Sequence, residues 1–163
     1  MTQNAETRNA ETQTAATEER QLTLTRLIAA APAAVWQCWT DPALLPRWFG
    51  PDGFSCQTKE IDLTVGGQWR FDMVAPDGTI FPNRHRYTAQ VPAARLEFLM
   101  DADDDASEPM TVVVTLHPEN GGTRITQTIT LPSADAKQKA LGFGADRLGQ
   151  QTLAKLAALA ATL

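Results

Sequence analysis

The 163-residue sequence predicts an α+β fold: a curved antiparallel β-sheet wrapped around a long C-terminal α-helix, with two short helices after the first strand. Three observations predict it. One strand and two short helical segments are followed by about six consecutive strand-like segments and then by one long helical segment. Turn sequences such as Pro76-Asp77-Gly78 and Asn120-Gly121-Gly122 join the later strands as hairpins, which makes them antiparallel. One face of such a sheet must be covered, and the C-terminal segment is the only long amphipathic element able to cover it.

Each element has its local reason. Leu22 to Ile28 alternates with threonines and reads as a strand. Pro32 suits the first turn of a helix, which runs over Ala33 to Trp39. Thr40-Asp41-Pro42 offers a cap for a second short helix through Trp48, shortened by Pro46. Strands are expected over Phe54 to Asp62 and Gln68 to Ala75, with Trp69, Phe71 and Met73 on one face of the latter. Thr79 to Gln90 follows, with an interruption near Pro82, then Arg95 to Met100, Thr111 to Leu116 and Thr123 to Leu131. Ser133 caps the final helix. Its apolar stripe is Leu141, Ala145, Leu148, Thr152, Leu156, Leu159 and Leu163, with a kink or break at Gly142-Phe143-Gly144. Gly149 has two readings, tight packing on the sheet or space for a ligand.

The length suits one domain, assigned to residues 21–163 behind a polar N-terminal arm at 1–20. The net charge is −5, and Asp101 to Glu108 holds five of the 19 acids; the remaining 14 are matched by 14 Lys and Arg. This balance argues against nucleic acid and against an anionic membrane surface. No apolar run is long enough for membrane insertion, and no secretory leader is visible, so the expected location is cytoplasmic. Cys38 and Cys56 form no CxxC and have no His at ligand spacing, so they read as reduced, small apolar residues. Two histidines make no zinc set, and no P-loop, GxSxG elbow or dinucleotide fingerprint occurs. No cofactor and no metal are expected.

Four linked motifs carry a resemblance. Ala31-Pro32-Ala33-Ala34-Val35-Trp36-Gln37-Cys38-Trp39-Thr40-Asp41-Pro42 is followed by Leu45-Pro46-Arg47-Trp48-Phe49-Gly50-Pro51. Val65-Gly66-Gly67-Gln68-Trp69-Arg70-Phe71 precedes Pro76-Asp77-Gly78, and Gly121-Gly122-Thr123-Arg124-Ile125-Thr126 closes the set. Over about residues 22–163 the chain resembles the Hsp90-ATPase-activator-like (AHSA1-like) branch of the START/Bet v 1-like, or SRPBCC, superfamily. The resemblance implies the helix-grip fold, with a cavity between sheet and C-terminal helix. The superfamily includes lipid carriers, hormone receptors, polyketide cyclases and aromatases. The chain departs from the family pattern at His85, where Gly is common, at Thr88-Ala89-Gln90, where an acidic residue often follows the tyrosine, and at Gln150, where a tryptophan is frequent.

The expected ligand-binding residues are Trp48, Phe54, Trp69, Phe71, Met73, His85, Tyr87, Phe98 and Phe143. Large aromatic side chains supply contact area for an apolar or aromatic ligand, although they equally fill a core. Asn83, His85 and Tyr87 share one face of a regular strand. If it is the inner face, His85 and Tyr87 are the candidates for proton transfer or ligand hydrogen bonding. Otherwise His85 is a surface residue between two solvated arginines, Arg84 and Arg86. His117, before Pro118 at a turn, reads as structural or exposed. The expected partner is a small apolar or aromatic molecule, with a homodimer possible. The alternatives are a polyketide cyclase or dehydratase using His85 or Tyr87, and an Hsp90-type co-chaperone or interaction module using the acidic run. Placed between two meander strands, that run reads as a solvated hairpin loop.

Overall fold

A computed structural model describes residues 16–163. Most of the expected N-terminal arm therefore lies outside the described residues. The elements are β1 (Gln21–Ile28), α1 (Pro32–Thr40), α2 (Leu45–Trp48), β2 (Ser55–Ile61), β3 (Gln68–Val74), β4 (Ile80–Val91), β5 (Arg95–Asp101), β6 (Met110–Glu119), β7 (Gly122–Thr130), α3 (Ala134–Gly142) and α4 (Ala145–Ala160). The strands form one curved antiparallel sheet in the order β1-β7-β6-β5-β4-β3-β2. Two bulges, between Thr58 and Glu60 in β2 and between Tyr87 and Ala89 in β4, help bend it.

Local chemistry fixes the turns. Asn120 and Gly121 both have positive φ, 51° and 77°, the two-residue hairpin geometry whose twist matches the strands. In the β3–β4 hairpin Asp77 accepts the Thr79 amide at 2.9 Å, and Gly78 supplies a φ of 89°. Gly122 lies where a Cβ would stand 2.2 Å from the Ile28 carbonyl oxygen, so only glycine lets β7 approach β1 there.

Several expectations change. β4 runs unbroken through Pro82, because its pairing with β5 begins only at Arg84. Over residues 80–83 it has β3 alone as neighbour, and a missing N–H is tolerated along such an edge. The second short helix starts at Leu45, with Pro46 in its first turn, where proline is harmless. Asp41 instead makes a turn ahead of it, accepting the Ala43 amide at 2.8 Å. The C-terminal helix is broken in two at Gly144, whose φ is 82°. Its packed face is also rotated: Leu153, Leu156 and Ala160 are buried, while Leu163 is 52% exposed. Gly149 explains the rotation. A Cβ there would meet Leu24 Cδ1 at 2.3 Å, so the glycine is the point where α4 sits on β1, which is the packing reading.

α4 lies over β1 and against α1 and α2. Lys155 Nζ donates to the carbonyls of Gly50 and Pro51 at 3.0 and 3.3 Å, and Gln151 accepts the Asp52 amide, tying the helix to the loop after α2. The short helices also cover the sheet. Trp39 and Trp48 meet edge to face at 4.7 Å, and Trp48 Nε1 donates to the Cys38 carbonyl at 2.9 Å. Trp39 and Phe49 then reach the inner faces of β3, β4 and β5.

Candidate functional site

The inner face of the sheet follows from the register. Cys56 pairs with Met73, Met73 with Phe81, Trp69 with His85, and Tyr87 with Phe98. Opposed residues on neighbouring strands point to the same side. Along β4 the inward residues are thus Phe81, Asn83, His85 and Tyr87, spaced about 6.8 Å apart by the two-residue repeat. Arg84 and Arg86 point outward.

His85 is wholly buried in an aromatic shell. Phe98 stacks on it at 4.5 Å, and Phe49, Phe71 and Trp69 approach edge to face at 4.9, 5.2 and 5.3 Å. Neither imidazole nitrogen has a hydrogen-bond partner. Burial lowers its pKa to about 3, against a smaller opposing pull from Asp101, so the ring is neutral at physiological pH. The Tyr87 hydroxyl and Trp39 Nε1 are also buried without partners. Burial pushes the Tyr87 phenol far above its ordinary range. All three residues pack on one ring, because Phe98 lies 5.6 Å from Tyr87 and 6.1 Å from Trp39.

The expected residues separate into groups. Trp69, Phe71, His85, Tyr87 and Phe98 come together at the buried centre, with Trp69 and Phe71 stacked at 3.6 Å. Trp48 is buried behind them and touches Trp39 and Phe49. Met73 is partly buried at the outer rim of the cluster, near half-buried Phe54, whose ring lies 6.3 Å from that of Phe81. Phe143 is not gathered in; the helix break leaves it 82% exposed. Sequence reasoning missed Phe49 and Trp39 as members of the His85 and Phe98 shell. Their closeness to Trp48 in the chain was a signal for shared packing, but not for the direction of the rings.

The outward face of the same strands carries charge. The Asp101 side chain, 0% exposed, accepts from Arg84 at 2.8 and 3.0 Å and from Arg86 at 2.9 Å. Arg84 also reaches Asp105, and Arg70 binds Asp103 through two bonds of 2.9 and 3.0 Å. Burial alone would raise the Asp101 carboxyl. The Arg84 bonds, the Asp103 amide and the nearby guanidinium charges more than reverse this, holding it below the usual range. Arg84 is therefore paired and mostly buried, and Arg86 is paired while still 40% exposed; of the acidic run, Asp101 and Asp103 return to the sheet, whereas Asp104, Asp105 and Glu108 are exposed. Asp72 and Glu97 pair with Lys59 and Arg95. His117 is exposed within β6, not at a turn.

Cys38 and Cys56 are free thiols, each raised to about 11 by burial; Cys56 Sγ donates to the Phe49 carbonyl at 3.2 Å. Among the described residues, no group of three or more His, Cys, Asp or Glu is placed to hold a metal ion. No helix among them is long and apolar enough to cross a membrane. A cleft of about 390 Å³ opens among Thr40, Pro42, Ile61, Leu63 and Gln90, at the end of the sheet away from Phe54 and Phe81. None of the expected site residues lines it.

Residues 29–161 match the family described as Activator of Hsp90 ATPase homolog 1-like protein. A search of curated proteins gives no match. Among solved structures, a Mycobacterium smegmatis protein superposes with a TM-score of 0.79 at 29% identity, over 90% of this chain and 94% of that one. A Nitrosomonas europaea protein gives 0.76 at 28%, over 86% and 94%. A Chromobacterium violaceum protein gives 0.70 at 30%, over 85% and 96%.

Proposed function

Because the chain belongs to the Activator of Hsp90 ATPase homolog 1-like family, we propose that it binds a small hydrophobic or aromatic molecule on the inner face of its sheet. One observation carries the reading. Half-buried Met73 and Met100 pack against the buried aromatic cluster, Met100 opposite His85, and toward the β3–β4 hairpin Met73 pairs with Phe81, whose ring lies 6.3 Å from that of Phe54. Phe81 is 46% exposed there. Methionine side chains are unbranched and repack readily, so a cluster flanked by Met73 and Met100 can yield to a flat apolar guest. Gly50 brings the loop after α2 onto Met73, since a Cβ there would lie 3.0 Å from Met73 Sδ.

The alternatives draw less support. General acid or base catalysis works best with a pKa near the working pH. The His85 imidazole lies near 3 and the Tyr87 phenol is raised, so both favour hydrogen bonding over proton exchange. An interaction role for the acidic run meets carboxylates already paired with Arg70, Arg84 and Arg86.

The test is titration of the purified protein with naphthalene derivatives, flavonoids and medium-chain fatty acids. Tryptophan emission and thermal melting are the readouts. A ligand at 100 times its Kd stabilises by about 2.7 kcal/mol, which raises Tm by roughly 5–10 °C in a domain of this size. No saturable change in either signal across the panel would remove the reading.

A further inference from the structure

We propose that Trp39, His85 and Tyr87, gathered around Phe98, form an uncharged hydrogen-bonding set that selects a neutral aromatic molecule bearing a hydroxyl or carbonyl group. The inference rests on the binding reading above and names the ligand class for the same site. Buried polar groups are nearly always paired, and an unpaired one costs stability. Here four polar atoms on three residues lack partners around one ring: Trp39 Nε1, both His85 nitrogens and the Tyr87 hydroxyl. Each residue is at most 3% exposed.

Their chemistry defines the complement. Trp39 Nε1 only donates, the Tyr87 hydroxyl donates and accepts, and a neutral imidazole offers one donor and one acceptor. A carbonyl oxygen matches the donors, and a hydroxyl matches both kinds of group. Flat rings match the walls, because Trp69, Phe71 and Phe98 present aromatic faces and edges.

The surroundings select against anionic ligands. Arg84 and Arg86, the cations nearest in the chain, face the other side of the sheet and are held by Asp101. Arg26, inward on β1, lies against Gln150, and Lys155 of α4 is engaged by two backbone carbonyls. A carboxylate entering the shell would lose its hydration without gaining a free cation.

Calorimetric titration at neutral pH with 2-naphthol, naphthalene and 2-naphthoate tests the proposal. 2-Naphthol should bind at least tenfold more tightly than naphthalene, and 2-naphthoate should be the weakest. Tyr87→Phe should cut the 2-naphthol advantage about fivefold and leave naphthalene unchanged. Without ligand, that variant should melt no lower than wild type, because the deleted hydroxyl has no partner; a structural hydroxyl would lower the melting temperature. Equal binding of naphthalene and 2-naphthol overturns the inference and leaves the binding reading standing. Binding of 2-naphthoate as tight as that of 2-naphthol also overturns it. So does an advantage unchanged in both Tyr87→Phe and His85→Phe. If none of the three binds, the inference falls, and the binding reading falls with it only when the flavonoids and fatty acids of the wider panel fail as well. The wild-type ranking decides the matter should a variant fail to fold.

Discussion

Removing the His85 imidazole should remove a specific part of the acid sensitivity of this fold. The ring is completely buried, stacks on Phe98, meets Phe49, Trp69 and Phe71 edge to face, and has no hydrogen-bond partner. Its folded pKa is near 3, whereas an unfolded histidine titrates near 6.5. The unfolded chain therefore takes up a proton first. The stability is fully present above about pH 6.5 and is lost as pH falls toward 3. Each pH unit inside that window costs about 1.4 kcal/mol, so about 2 kcal/mol is gone at pH 5. Asp101 and Asp103, held low by their arginines, stay ionised there and lose their contribution only below about pH 4. Urea unfolding at pH 7.5 and pH 5 reads the effect as a fall in midpoint of roughly 1 M for wild type. His85→Phe keeps a ring against Phe98 and lacks the proton site, so its midpoint should fall by much less over the same interval. Wild-type stability that is flat between these pH values, or an equal fall in the variant, would refute the account of a dry, unpartnered imidazole.

Three other substitutions test the frame. Asp101→Asn removes the charge that holds Arg84 and Arg86; breaking a buried pair typically costs 3–5 kcal/mol, and the residual exposure of Arg86 places this one near the lower end, about 3 kcal/mol by urea unfolding. Gly122→Ala sets a Cβ against the backbone carbonyl of Ile28, which cannot rotate away, so melting should show a loss of about 2–3 kcal/mol. Ala93→Gly relieves a non-glycine φ of 58° in the turn closed by Ala94 N–H to the Val91 carbonyl, and should raise stability by roughly 0.5–1 kcal/mol.

The strand order and hairpins were legible because their signals are local. Asp-Gly and Asn-Gly pairs fix turns, and the two-residue alternation in β3 put Trp69, Phe71 and Met73 on one face, where the register places them. The Pro82 break and the helical stripe failed for the opposite reason. Whether a proline interrupts a strand depends on which neighbours that strand has at that point, and the packed face of α4 is set by the approach of Gly149 to Leu24. Both are tertiary facts. Phe143 illustrates the same limit: aromatic content alone marks a wall of the site, but the glycines flanking it end one helix and restart another, leaving the ring outside. The acidic run was legible as a loop, though not as a loop whose carboxylates return to Arg70 and Arg84, since pairing across β3, β4 and β5 joins residues far apart in sequence.

The strand Arg84-His85-Arg86-Tyr87 joins these observations. Its pleat sends two guanidinium groups to one side and two uncharged hydrogen-bonding rings to the other. A one-residue slip would bury the arginines among Trp69, Phe71 and Phe98 and expose His85 and Tyr87, so the register is strongly specified from both faces. The outer pairing with Asp101 does more than secure a loop. It occupies the two cations that flank His85 in the chain and places their countercharge beside them. The inward groups consequently lie in a low-dielectric interior with little charge of their own, where a hydrogen bond to a neutral partner is strong and an ion is costly. Charge on the outside and neutrality on the inside are thus one consequence of the alternation, and this is why the acidic surface says little about what the aromatic interior can hold.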